Sequence, residues 1–490
     1  MIFNSITYTL FLLVVVTLYW FLPRRVRLVG LFAASLTFYG FWSVPFISVM
    51  MASVVTDYVA ALRIDKARSE RVKSAWLYAS LIVNLGLLVF FKYYYFLSGN
   101  IEGIASMFGY EVGLPYIHII LPIGISFYTF QSISYTLDVR RGFIQPERDF
   151  VLFGVYVMFF PQLVAGPILR AREVIPQLIQ RPAFATSNIA EGMRRILAGL
   201  FLKVGLADQI APIVDEMYAQ DPAYLGAADT LTMAFLFGLQ IYFDFSAYSH
   251  IALGSAKLMG IEFPENFRFP YNATSPRAFW RRWHISLGSW IRDYIYLPLT
   301  GAKVEDRSTG GIATANGEVV LVSQTRARLA LALFITWITM GLWHGAGWAF
   351  VLWGAWHAIF IQIQRVMPSS IGFLGDYSNK LLAWLITLPI MMLSWIPFRT
   401  QDVGQAVELW VNMMRPEKFL LMGFRENAYL VTAVLTTLTL AAPFVWGWVR
   451  DKILGRQYVG AFIEVAAISF IAIIVLVYLR PMNQFIYFQF

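Results

Sequence analysis

ITMGLWHGAGWAF, residues 338–350, places His344 inside an apolar stretch. An ionisable side chain at bilayer depth is costly and marks a functional site by default. Gly341, Gly345, Ala346 and Gly347 leave space beside the imidazole, and Trp343 and Trp348 offer it apolar walls. Two further histidines lie in related strings: His357 in LWGAWHAIF (352–360) and His284 in FWRRWHISLGSW (279–290). The chain has five histidines, and these three each follow a tryptophan. The bland alternative for His344 is a packing residue bonded to a helix backbone.

Working outward, the 490 residues are 58% hydrophobic and only 14% charged. A soluble domain carries about 25% charged residues. The apolar residues come in runs long enough to cross a bilayer, at 6–22, 28–44, 46–62, 75–97, 117–137, 150–166, 193–218, 229–259, 328–344, 348–366, 380–397, 428–449 and 458–480. Some are too short or too broken by Gly and Pro to cross alone. Pro161, Gly166 and Pro167 mark 150–166 as a broken or re-entrant helix, tolerable only where protein buries it. The expected class is an all-α polytopic membrane protein of about 11 spans with re-entrant and interfacial helices. The first run ends at Pro23-Arg24-Arg25 without a small-residue cleavage site, so it reads as a span rather than a signal peptide.

The net charge of +9 resides in loops between apolar runs. The positive-inside rule explains it better than a nucleic-acid face does. It orients the chain with the N-terminus and the tail after Tyr478 outside, and with the basic loops in the cytoplasm. No cysteine is present, which excludes disulfides, thiolate metal sites and a cysteine nucleophile. The whole chain reads as one integral-membrane domain. Its longest interruption is 260–327. The aromatic and basic first part, to about Tyr296, looks like interfacial helices. The Gly/Ser/Thr-rich part, 301–327, reads as a flexible cytoplasmic insert. The tail 481–490 holds Phe485, Ile486, Tyr487, Phe488 and Phe490 and reads as an aromatic extracytoplasmic anchor.

An imidazole has the right pKa to take a proton from a hydroxyl near neutral pH, which suits His344 to general base catalysis. Two facing histidines, His344 and His357, also have the chemistry to hold haem or zinc. No Glu-x-x-His or His-Glu-x-x-His pattern accompanies them, so no metal is expected. His118 and His250 read as ordinary residues. Arg281, Arg282 and Arg292 suit lipid headgroups, or else the entrance for an anionic donor. Asp208 and Asp244 are the clearest carboxylates within apolar runs. Asp244 reads first as a structural group bonded to a neighbouring helix, with a proton relay as the alternative.

Six strings occur in order: LPIGISFYTFQSISYTLDVRRG (121–142), FFPQLVAGPILR (159–170), YFDFSAYSHIALG (242–254), ENFRFPY…FWRRWHISLGSWIRDYIY (265–296), GLWHGAGW (341–348) and WGAWHAIF (353–360). Together they resemble the membrane-bound O-acyltransferase family, in the bacterial branch of alginate O-acetyltransferase and the teichoic-acid D-alanyl transfer protein. The resemblance implies a ring of helices around a central tunnel. It puts the essential histidine on His344 and a second one on His284. It also implies that Trp343, Trp348, Trp353, His357 and Asn266 line the tunnel. This chain departs from the pattern at His250, where alginate-type relatives carry Asp.

The function expected from this resemblance is transfer of an acyl group, acetyl first, from a cytoplasmic thioester to an extracytoplasmic polysaccharide pathway in the bacterial inner membrane. The donor would be acetyl-CoA or an acyl carrier protein, with no permanently bound cofactor. An extracytoplasmic SGNH-type or esterase-like partner would receive the group, Tyr487 would be a possible acyl relay, and membrane lipid would surround the protein. Two other readings stand beside it: a proton-coupled transporter or flippase, and a structural scaffold for an exopolysaccharide complex.

Overall fold

Leu438, Phe444, Phe462, Val465 and Phe470 lie more than half exposed on the helices Glu426–Val449 and Gln457–Tyr478. Large apolar side chains displayed along whole helices need hydrocarbon around them, because water would penalise every one. The computed structural model describes residues 1–180, 183–301, 325–366, 379–449, 451–452 and 457–479. These form helices and, among the described residues, no strand. Eight helices among them are long and apolar enough to cross a membrane, and the shorter apolar helix Ile6–Phe21 adds to the set. The chain is therefore an all-α, multi-pass membrane protein.

Several boundaries differ from the sequence reading. The run 117–137 becomes helical only at Ile125, after Pro122 and a left-handed Gly124 at φ +75. A Cβ at Gly124 would sit 2.5 Å from the carbonyl oxygen of Leu163, so only glycine fits this approach. The run 150–166 gives a helix of nine residues, Phe150–Met158, followed by a buried non-helical stretch. The insert ends earlier than 327, because the Thr325 side chain caps the helix Arg326–His344 by accepting from the Arg328 amide. The rest of the insert, 302–324, and the tail with Tyr487 lie outside the described residues.

The residues fall into two compact units. One is built from Met1–Met193 and Ala252–Pro264. Its centre is a carboxylate that sequence reading passed over. Asp57, on the helix Pro45–Lys66, is fully buried. It accepts from Ser80 Oγ, from Asn84 Nδ2 at 2.9 Å and from Thr136 Oγ1 at 3.0 Å. Ser53 adds a bond to Asn84 Oδ1 at 2.5 Å. Donors from two other helices thus satisfy one buried acceptor and fix the relative rotation of the three, since any turn would strand a polar group.

The second unit holds Arg194–Ile251, Glu265–Thr300 and the described residues from Thr325 onward. Here Lys203, 1% exposed, bonds Asp244 at 2.6 Å and Asp208 at 2.8 Å. Asp244 is therefore paired internally, as the structural reading expected. The helices Arg326–His344 and Trp348–Val366 form a hairpin packed backbone to backbone. A Cβ at Gly354 would lie 2.4 Å from the carbonyl oxygen of Trp337, and one at Gly341 would lie 2.1 Å from that of Phe350.

Gly354→Ala should therefore force this hairpin apart and lower stability by about 1–3 kcal/mol. Gly447→Ala, where nothing lies within 4 Å of an added methyl, serves as the control and should not lower it. Thermal melts in one detergent compare the two. Equal melting temperatures would show that the hairpin does not depend on this approach.

Candidate active site

His344 is the last residue of the Arg326–His344 helix, and Gly345 ends that helix in an extended conformation. The chain re-enters a helix at Trp348, so His344 stands at a break between two antiparallel helices. The imidazole is 5% exposed. Its ring lies 4.8 Å from Trp343, 5.0 Å from Trp353 and 5.2 Å from Phe398, all edge-on. These arrangements suit aromatic quadrupoles and wall the ring with apolar surface.

The two indoles link His344 to the other histidines. Trp343 also meets His284, centroids 6.0 Å apart. Trp353 also meets His357 at 4.6 Å. His357 is fully buried, and its Nδ1 accepts from Trp280 Nε1–H at 3.3 Å. Three histidines far apart in sequence thus form one row separated by tryptophans. Among the described residues no group of three or more His, Cys, Asp or Glu could hold a metal ion.

His284 is fully buried and has left-handed backbone angles, φ 43 and ψ 54. A non-glycine residue there costs on the order of 1–3 kcal/mol and persists only where its surroundings over-determine it. Asn266 supplies that restraint. Its backbone oxygen accepts from the Ile285 amide at 3.0 Å. Its Oδ1 accepts from Ser286 N at 3.2 Å and Ser286 Oγ at 2.8 Å, and lies 3.3 Å from His284 Nδ1. Phe245 meets the other side of the ring edge-on at 4.7 Å. Burial pushes the His284 pKa down to about 3, so the ring is neutral.

The sequence-predicted residues therefore divide. His284, His344, His357, Trp343, Trp353 and Asn266 come together in the second unit. Trp348 does not share their burial: it is 59% exposed at the start of its helix and is no enclosed wall. The segment around His284 is not a surface-lying interfacial helix. Trp283, Leu287, Trp290 and Ile291 are buried, because its aromatic rings pack on protein. Its arginines stay outside this core. Arg281 is exposed, and Arg292 is exposed and bonded to Asp293 at 2.7 Å. Arg282 is half-buried and lines a cavity of about 620 Å³ with Lys380, Trp384, Leu440 and Phe444.

Sequence reasoning missed three contributors, Trp280, Trp337 and Phe398. Trp337 lies 5.2 Å from His357 and 4.7 Å from Trp280. The signal available for Trp337 was its spacing of seven from His344, which puts both on one helix face. Phe398 had none, since it arrives from a separate helix, Trp395–Thr400.

Comparison with known proteins gives the site its context. Residues 3–314 match the MBOAT, membrane-bound O-acyltransferase family. That range includes Asn266 and His284, while His344 and His357 follow it. A probable alginate O-acetylase AlgI of Azotobacter vinelandii is 37% identical over 447 residues, which covers 90% of this chain and 83% of the relative. A peptidoglycan O-acetyltransferase of Helicobacter pylori is 32% identical, covering 78% and 72%. A teichoic acid D-alanyltransferase of Bacillus subtilis is 25% identical, covering 54% and 62%. With most of its length matched in both comparisons, the chain belongs to the membrane-bound O-acyltransferase family and is an O-acyltransferase.

Proposed function

We propose that this enzyme transfers an acetyl group from a cytoplasmic thioester, through the membrane, to an extracytoplasmic polysaccharide O-acylation pathway. The observation that carries the reading is the row of three buried histidines walled by tryptophan, in a chain whose relatives are named as O-acetylating enzymes. His344 acts as general base. The acceptor hydroxyl oxygen attacks the thioester carbonyl carbon as its proton passes to the imidazole. The carbon–sulfur bond then breaks, and the proton leaves with the thiolate as free thiol. Tryptophan walls keep water from the thioester and so limit hydrolysis. His284 orients a substrate in the tunnel.

The donor is acetyl-CoA or an acyl carrier protein thioester, entering past Arg281, Arg282 and Arg292. The receiving partner is an exported SGNH-type or esterase-like protein, and the membrane is the bacterial inner membrane. The tail tyrosine, Tyr487, is proposed as an acyl relay on the outer side.

His344→Ala should keep the fold and lose acyl transfer by at least about 10²-fold, the range for removing a general base. Trp348→Ala, at an exposed position, should keep most activity. Transfer of labelled acetyl by purified protein reads both variants. Full activity in a folded His344→Ala protein would remove the assignment.

Reversing charge at Arg281 and Arg282 together should raise the KM for donor more than it lowers kcat. Steady-state kinetics over a range of donor concentrations checks this. An unchanged donor KM would show that these arginines meet lipid only.

A further inference from the structure

We propose that Asn266 is a positioning residue that holds His284 as the Nδ1–H tautomer, so that Nε2 offers a lone pair to the acceptor hydroxyl. The inference rests on the reading above, in which these histidines serve acyl transfer, and it adds which substrate His284 orients.

A backbone N–H only donates. The Ser286 amide lies 3.2 Å from one end of the Asn266 side chain, so that end is the oxygen. The other end, Nδ2, then points at Ser249 Oγ, 3.4 Å away. An amide oxygen only accepts, and it lies 3.3 Å from His284 Nδ1. The proton must therefore sit on Nδ1. In a neutral imidazole with Nδ1 protonated, Nε2 carries the lone pair. Rotation of the ring is restrained by Phe245 on one side and by Trp343.

Asn266 fixes the backbone as well as the ring. Its carbonyl oxygen takes the Ile285 amide, and its side chain takes both polar groups of Ser286. The left-handed conformation of His284 is thus clamped by one asparagine through the two residues that follow it. Glu265, next to it in sequence, is engaged by Arg195 at 2.5 Å. The neighbouring carboxylate is thus taken by a cation, while a neutral amide faces the imidazole. The choice matters chemically. A lone pair on Nε2 bonds a hydroxyl group, which donates, and cannot bond a thioester carbonyl, which only accepts. His284 therefore orients the nucleophile rather than the acyl group.

Nitrogen-15 labelling of the five histidines in bilayer-reconstituted protein gives the direct test, with His284→Gln assigning the signal. The expected spectrum shows His284 protonated at Nδ1 and bare at Nε2. A His284 ring protonated at Nε2 and bare at Nδ1 overturns the proposal, and this readout does not depend on acyl transfer. Kinetics test the consequence. Asn266→Ala should lower transfer by about 10²-fold, with a higher KM for the hydroxyl acceptor and an unchanged KM for the donor. Asn266→Asp keeps an oxygen acceptor at Nδ1, so it should restore the tautomer and part of the activity. Its negative charge raises the imidazole pKa, so the labelled His284 ring should gain its second proton at higher pH than in the unsubstituted protein. If the Ala variant fails to fold, the Asp variant decides. A His284 ring whose protonation does not move in the Asp variant, or a donor KM that rises in place of the acceptor KM, overturns the assignment.

Discussion

Two glycines set how close the Arg326–His344 and Trp348–Val366 helices can come. With Gly341 and Gly354 at the crossing, each helix rests against a carbonyl oxygen of the other. Membrane helices associate through packing and polar contacts rather than through expulsion of water, so close backbone approach supplies much of their attraction. Everything in the site hangs from this crossing. It brings Trp353 against His344 and lets Trp337 meet His357.

Several buried polar groups in each unit take partners from elsewhere in the chain. Asp57 takes three donors, and Lys203 holds two aspartates. His357 takes the Trp280 N–H, and Asn266 serves both chain and ring at His284. The cost of leaving any of these unmade in an apolar surrounding is one to several kcal/mol. Such networks do more than stabilise. They select one rotation of each helix, and a site built from three separated strings needs that selection.

The sequence was informative where chemistry is unusual in its own string. A histidine inside an apolar run flanked by glycines is visible without a fold, and so was the broken character of 150–166. What could not be read depends on partners from elsewhere. Asp57 sits in SVVTDYVAAL, and none of its three donors, Ser80, Asn84 and Thr136, lies in that string. Trp348 and Trp353 look alike in sequence. Where a helix restarts after Gly347 decides which is buried, and that phase is not fixed by residue type. The segment 265–296 carries so many arginines that it suggested an interface. Burial of Trp283, His284, Leu287 and Trp290 shows that aromatic packing outweighed them, with the charges turned to its exposed side.

The proposed function is vectorial: the acyl group would change partner and membrane side in one passage. Radiolabelled acetyl thioester sealed inside proteoliposomes, with a hydroxyl acceptor supplied only outside, tests this most directly. The account predicts labelled ester on the outer acceptor, formed in step with free thiol inside. Proton movement across the same vesicles with no labelled ester outside would contradict it and would favour a transporter.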